Sequence, residues 1–324
     1  MNSVFLTVSK FISDHQLLSR GDQVLIGCSG GPDSIALLHI LSHLRKKYHL
    51  ELSSCYINHQ LRHKKIIAKE QKIVSDYSKK LGISFYHKTI SVKPKASVEN
   101  SARILRYHAF NQFMKRLGAT KIAVGHHADD QAETILMRLF SGSGFKGLRG
   151  MAPENDRCVI RPLLNVTKKE ILEFCKKENL AFILDETNSN ENFLRNKLRH
   201  KILPVLRREI NPSIDQTLLG IGQLFYMTDD YLKSQLADME ADVVSRLNRR
   251  ISIDVKKFTT YPDILQYYLV NDILVSLSPD LQAVKFNHVD SVIQIVQKNV
   301  GGVKLNLGNG VTCVKNKNKI EFAK

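Results

Sequence analysis

The chain has 324 residues, of which 43% are hydrophobic and 24% charged. That length suits two domains with separate cores, and that composition excludes a disordered chain. Forty-eight Lys and Arg against 31 acidic residues give a formal charge of +17, which favours a polyanionic partner, nucleic acid first.

Residues 1–15 mix Phe5, Leu6, Phe11 and Ile12 with Lys10 and Asp14, an amphipathic helix rather than a signal peptide. No apolar run reaches bilayer length. The five cysteines are scattered with no Cys-x-x-Cys pair, which argues against a zinc ribbon or a disulfide framework. A reduced, cytoplasmic enzyme is the expectation.

From Gln23 to about Val124 short apolar runs alternate with helical periods. Strands are expected over Val24–Cys28, Leu52–Ile57, Ser84–Ile90 and Lys121–Val124, and helices over Ser34–Lys47, Ile66–Leu81 and Val98–Leu117. Such alternation predicts an α/β fold with a doubly wound parallel sheet. In that architecture ligands bind beyond the carboxyl ends of the strands.

The first of those ends carries Ser29-Gly30-Gly31-Pro32-Asp33-Ser34. Two glycines opening a helix present backbone N–H groups to an anion, and Pro32 fits the first helical turn. Ser29 and Ser34 add hydroxyls, and Asp33 is a candidate Mg2+ ligand. No Gly-Lys-Ser/Thr follows, so this is not a Walker loop. The fourth strand ends in Gly125-His126-His127-Ala128-Asp129-Asp130-Gln131-Ala132-Glu133-Thr134. Spacing puts His126 and Asp130 on one side of a helix start, with Glu133 one step on, and suggests acid–base or substrate-orienting work. His-Glu-x-x-His spacing is absent, which speaks against a dedicated zinc site.

Between these ends, Asn58-His59-Gln60-Leu61-Arg62 follows the second strand, where a nucleotide base could rest. Arg103 and Arg106 share a helical face suited to phosphate or simply to solvent. A helix is expected over Asp130–Phe140. Ser141-Gly142-Ser143-Gly144-Phe145-Lys146-Gly147 follows it and reads as a flexible loop, since no strand precedes this Gly-x-Gly-x-x-Gly. Thr167-Lys168-Lys169-Glu170 is a capping box opening a helix to about Glu178. A polar loop over Asp185–Asn192 leads to a basic helix-like run over Phe193–Arg208. There Arg195, Lys197, Arg199 and Lys201 form a charged face suited to a phosphate backbone. Asn211-Pro212-Ser213 is the expected domain boundary, with Ser213 capping a helix to about Leu247. Beyond Ile251 amphipathic helices accompany a hairpin of Val303–Leu307 and Val311–Val314, turned at Gly308-Asn309-Gly310. The expected division is a catalytic domain over 1–210 and a small mixed α/β substrate-binding domain over 211–324, joined by a helical linker.

Together these strings resemble the tRNA(Ile)-lysidine synthetase family of the PP-loop ATP pyrophosphatases, in its short form. The matching pieces are Ser29–Ser34, Asn58-His59-x-Leu61-Arg62, Arg103-x-x-Arg106-Tyr107, and Gly125 through Thr134. Gly142-Ser143-Gly144 through Gly150-Met151, Arg161-Pro162-Leu163, and Asn188 with Arg195-Asn196-x-x-Arg199 complete the set. The resemblance covers about Gln23 to Pro204, and the tail from about Ile251 resembles the family's first C-terminal domain. It implies an adenine nucleotide α-hydrolase-like fold and ATP with Mg2+ as cofactors. The implied partners are tRNA(Ile) with a CAU anticodon and free L-lysine, without a membrane and with homodimerisation left open. Ser29 to Ser34 would hold pyrophosphate, Asp33 the Mg2+, and Arg106 would offset α-phosphate charge. His126 and Asp130 would orient cytosine or lysine, and Arg195 and Arg199 would contact tRNA or the activated intermediate. Two other readings stand beside it: a PP-loop tRNA thiolase, disfavoured by the missing cysteine pair, and a non-catalytic RNA-binding protein.

Overall fold

The computed structural model describes residues 3–92, 98–184, 194–247, 250–277, 284, 286–298, 301–308 and 310–323. The expectations over Asp185–Asn192, including Asn188, and those for Phe193 and Asn309 lie outside the described residues. The chain divides into two compact units: Met1–Glu133 with Met151–Asp215, and Thr134–Gly150 with Gln216–Lys324.

In the first unit, α1 (Ser3–Asp14), β1 (Gln23–Gly27), α2 (Pro32–Tyr48), β2 (Glu51–Asn58) and α3 (Lys64–Lys80) come first. They are followed by β3 (Ser84–Thr89), α4 (Val98–Leu117), β4 (Lys121–Val124), α5 (Ala128–Phe140), whose later turns belong to the other unit, and α6 (Phe145–Leu148), which lies wholly in it; β5 (Val159–Ile160) and α7 (Lys168–Lys177) return to the first. The five strands run parallel in the order β3-β2-β1-β4-β5. β1 and β4 are neighbours, so the strand order reverses between them, and the loops after both strands open at this switch point. One core cluster joins α1, α2, α3 and α7 to one face through Val8, Ile35, Leu38, Val74 and Phe174. Another packs Phe110 and Phe113 of α4 on Leu25, Cys55 and Ile122 of the opposite face. Both faces are covered, which is why the central strands β1 and β4 read as apolar runs, while the edge strand β3 stays partly exposed.

The fold class and the four long strands match the expectation, with boundaries moved by one or two residues. The two-residue β5 was not foreseen; Val159–Ile160 is too short to show a period. The Thr167 capping box is present in both directions, Thr167 Oγ1 accepting from Glu170 N and Glu170 from Thr167 N. Residues 194–210 are helical, as α8 (Leu194–Lys197), α9 (Leu203–Val205) and two π-type stretches, Leu198–Ile202 and Leu206–Ile210.

The second unit contains α10 (Ile214–Val243), whose first residues belong to the other unit, β6 (Val244–Leu247), β7 (Arg250–Asp254), α11 (Val255–Phe258), α12 (Asp263–Leu277) and α13 (Phe286–Gln297). The strands β8 (Val303–Asn306), β9 (Thr312–Lys315) and β10 (Lys319–Ala323) complete an antiparallel sheet in the order β6-β7-β10-β9-β8. Met239, Ile253, Phe258, Tyr268, Val289 and Phe322 anchor its core. The long helix stops at Val243 instead of Leu247, because Val244–Leu247 pairs with β7 as a strand. Asn211 accepts from Ser213 N at 2.9 Å, an Asx turn ahead of that helix. The segment over Ser141–Gly147, expected as a flexible loop, contains the helical turn α6. Arg138 pins it, with Nη1 donating to the carbonyls of Gly147 and Gly150 at 2.7 and 2.5 Å.

Candidate active site

The site is built on the loops after β1 and β4. Gly30 takes φ +82°, a left-handed conformation, and a Cβ there would also meet the Glu70 backbone at 3.2 Å. Gly31 caps α2 with extended backbone and no side-chain hydrogen bond, which leaves the helix start open to an anion. Ser34 Oγ donates to Gly31 O at 2.9 Å and accepts from Ser29 N at 3.1 Å, so the hydroxyls hold the loop in shape. Gly125 lies against this turn: a Cβ there would stand 3.1 Å from the Asp33 carbonyl carbon and 3.2 Å from Ser34 N. The two loops touch backbone to backbone.

Two cavities share this floor. The first, about 370 Å³, takes in Ser29, Asp33, Ser34, Arg106, His126 and Asp130, with Asn58, His59 and Arg62 from the end of β2. The second, about 440 Å³, takes in Ser29, Gly31, Pro32 and Asp33 with Asp129, Asp130, Glu133, Lys168 and Arg199. Both volumes lie in the range of small-ligand sites. Asp33, Arg106, His126 and Asp130 thus meet around one space. Gly30 lines neither cavity and serves as the close contact to α3. Arg195 and Arg199 turn toward the site: Arg195 Nε donates to Glu133 at 2.7 Å and Arg199 Nε at 2.5 Å, and both reach Asp130 at 3.0 and 3.1 Å. Lys197 and Lys201 are exposed. The four basic residues therefore do not share one outward face, because buried Glu133 draws two of them inward.

Several neighbours of the site were not singled out from the sequence. Lys168 Nζ donates to both carboxylate oxygens of Asp33, at 2.6 and 2.7 Å. The available signal was electrostatic and weak: a lysine in a helix's first turn opposes the helix dipole, and a nearby carboxylate offsets that cost. His127 is buried among three carboxylates, with Nδ1 3.4 Å from Asp129 and Nε2 3.4 Å from Asp130 and 4.0 Å from Asp33. Buried Glu70 accepts from Tyr56 at 2.8 Å and pairs with Arg62 at the cavity's far wall.

The adjacent histidines sit in opposite electrostatic settings. Burial pushes His126 down to about 3, against the pull of Asp130 and with help from Arg161 and Arg106, so its imidazole is neutral. Its Nδ1 is buried without a hydrogen-bond partner. Burial also disfavours charge on His127, but its contact with Asp129 and the carboxylates of Asp130 and Asp33 outweigh it and raise its pKa. Asp129 is desolvated, yet His127 and the Lys168 N–H hold it down to about 2. Asp130, also desolvated, is lowered by His127 and Arg195. Among the described residues no group of three or more His, Cys, Asp and Glu forms a metal cage. The five cysteines are free, and four of them are buried.

A glycine-rich turn opening a helix at the switch point of a parallel sheet defines a nucleotide-binding protein of the PP-loop class. The family model described as "PP-loop domain" matches residues 4–206. A tRNA(Ile)-lysidine synthase of Clostridioides difficile (strain 630) is 31% identical over 98% of this chain and 70% of its own length. Another, from Clostridium acetobutylicum, is 32% identical over 98% of this chain and 68% of its own. The chain belongs to the tRNA(Ile)-lysidine synthase family. Among solved structures, the U34-tRNA thiolase NcsA from Methanococcus maripaludis, with its [4Fe-4S] cluster, superposes with a TM-score of 0.54. It is 18% identical over 68% of this chain and 80% of its own, a likeness of fold alone. No helix among the described residues is long and apolar enough to cross a membrane.

Proposed function

We propose that this protein ligates lysine to C2 of the wobble cytidine of a tRNA(Ile) with a CAU anticodon, in the cytoplasm, at the expense of ATP. The observation that carries the reading is the uncapped start of α2 facing a cavity that also contains Arg106, His126 and Asp130. The cytidine O2 would attack the α-phosphorus of ATP and release pyrophosphate; the lysine amine would then add to C2 and expel AMP. The first unit would carry this chemistry, and the second would help to hold the tRNA.

Ser29, Ser34 and the N–H groups of residues 30–34 would bind the pyrophosphate end. Arg106, on the cavity wall, would offset charge at the α-phosphate. Lys168, 2.6 Å from Asp33, extends this set with a second cation. The neutral His126 suits a hydrogen bond to a base edge and not proton abstraction, because a group held near 3 is a weak base. Asp130, kept ionised, suits the ammonium of an arriving lysine, with Arg195 and Arg199 fixing its rotamer. Mg2+ is taken by one or two carboxylates together with phosphate oxygens, and Asp33 with nearby Asp129 and Asp130 is a donor set of that chemistry. The ion would supply charge neutralisation on the leaving pyrophosphate.

The test is incubation with labelled lysine, ATP and either tRNA(Ile) or tRNA(Met). Label is expected in tRNA(Ile) only, with pyrophosphate released when that tRNA is present. Label in neither tRNA overturns the proposal.

A further inference from the structure

The structure shows a positive surface that the site does not use. Helix α3 turns Glu70, Val74 and Ser78 inward. Glu70 is tied to Tyr56 and Arg62, and Ser78 Oγ meets Ser54 Oγ at 2.7 Å. At 100° per residue the opposite face carries Lys65, Lys69, Lys72, Lys79 and Lys80, and all five are exposed. Asp76 is the only carboxylate on that face of the helix. None of the five ammonium groups is ion-paired among the described residues.

A helix face that serves only solubility mixes the two signs. Helix α7 shows the contrast, with Lys169, Glu170, Glu173, Lys176 and Lys177 exposed along its length. The α3 face is of one sign and runs about 21 Å from Lys65 to Lys79 at 1.5 Å per residue. The helix that carries it borders the cavity by its inner face, since Arg62, Ile67 and Glu70 line the wall and Gly30 abuts Glu70. By contrast, Arg195 and Arg199 are occupied by Asp130 and Glu133.

We propose that the lysine face of α3 is the surface on which the phosphate backbone of the substrate RNA docks beside the cavity. This rests on the reading of the protein as a tRNA-modifying ligase. The locked inner face of α3 sets the azimuth of the lysines, so the RNA strand is received in one orientation relative to the pyrophosphate loop.

The experiment compares the parent with Lys65→Gln/Lys69→Gln/Lys72→Gln and with a control, Lys10→Gln/Lys46→Gln/Lys176→Gln, which removes equal charge from α1, α2 and α7. Binding of tRNA(Ile) is measured across a salt series, together with steady-state lysine incorporation and ATP binding. Each lost phosphate contact flattens the log K against log salt slope by about 0.7–0.9, so the α3 variant should lose about 2. Its KM for tRNA should rise about tenfold or more at ~0.1 M salt, with kcat within about twofold, ATP affinity unchanged and the control close to the parent. An unchanged slope and KM, or an equal loss in the control, overturns the docking surface. If the parent incorporates no lysine while the α3 variant still loses its salt slope, the ligase reading fails and the RNA surface stands.

Discussion

Glu133 offers the sharpest test of how the site is held. Its side chain is 1% exposed and accepts from Arg195 Nε at 2.7 Å and from Arg199 at 2.5 and 3.0 Å. Glu133→Gln removes the charge and leaves two guanidinium groups sharing Asp130. Breaking a buried ion pair costs about 3–5 kcal/mol. The two arginines keep 21% and 32% of their side-chain surface in water, which returns part of that cost. We expect a loss of about 2–4 kcal/mol, or about 5–15 °C in melting temperature for a unit of this size. Thermal and denaturant melts measure it. A double-mutant cycle with Arg199→Met should give a coupling of about 1–3 kcal/mol. A Glu133→Gln protein within about 0.5 kcal/mol of the parent would refute the idea that this carboxylate organises the cluster.

Lys168→Met should separate chemistry from stability. The Lys168 and Asp33 side chains are 34% and 26% exposed, so the pair contributes under about 1 kcal/mol, yet KM for ATP should rise about tenfold. Pyrophosphate release at the parent's ATP dependence would remove Lys168 from the site. Gly125→Ala forces a methyl to about 3.1 Å from the Asp33 backbone, and ATP affinity should fall about tenfold with little change in melting; an unchanged Kd would show that the loops can part freely. Burial, with cationic neighbours adding to it, lowers His39 and His59 to about 4, and burial lowers His126 to about 3. These groups stay neutral in the folded chain while the unfolded chain takes up protons near pH ~6.5, so stability falls as pH drops below that value. His127, raised, works the other way: its contribution is full below about 6.5 and is lost as pH climbs through its folded value. His15 is lowered by burial as well, and four groups against one predict a lower melting temperature at pH ~5 than at pH ~7, with a smaller drop in His59→Asn; a flat profile contradicts this.

The parallel sheet was legible because strands covered on both faces are apolar runs, set off by helices of period 3.6. Both glycine turns were legible as well, since phosphate-type loops depend on local backbone. What escaped was decided by partners distant in sequence. Lys168 reads as part of a capping box until Asp33, 135 residues away, is brought to it. His127 and His126 are indistinguishable on paper; the turn from β4 into α5 sends one among carboxylates and the other toward arginines. The outward basic face expected over 195–201 failed on the same ground, since nothing local shows that Glu133 is buried and needs two cations. Val244–Leu247 was absorbed into a helix because it pairs with Arg250–Asp254 as a strand, and a pairing between two short segments leaves no mark on helical periodicity.

The split between the two histidines also bears on how the reaction responds to acidity. An unperturbed imidazole changes charge in the middle of the physiological range. Here one imidazole titrates well below that range and its neighbour above its ordinary value. Neither changes charge in the interval between, so the field these two rings set at the cavity stays constant across it. The pair presents one fixed positive charge beside a neutral ring, and pH sensitivity of turnover in that interval then has to come from groups other than these two side chains.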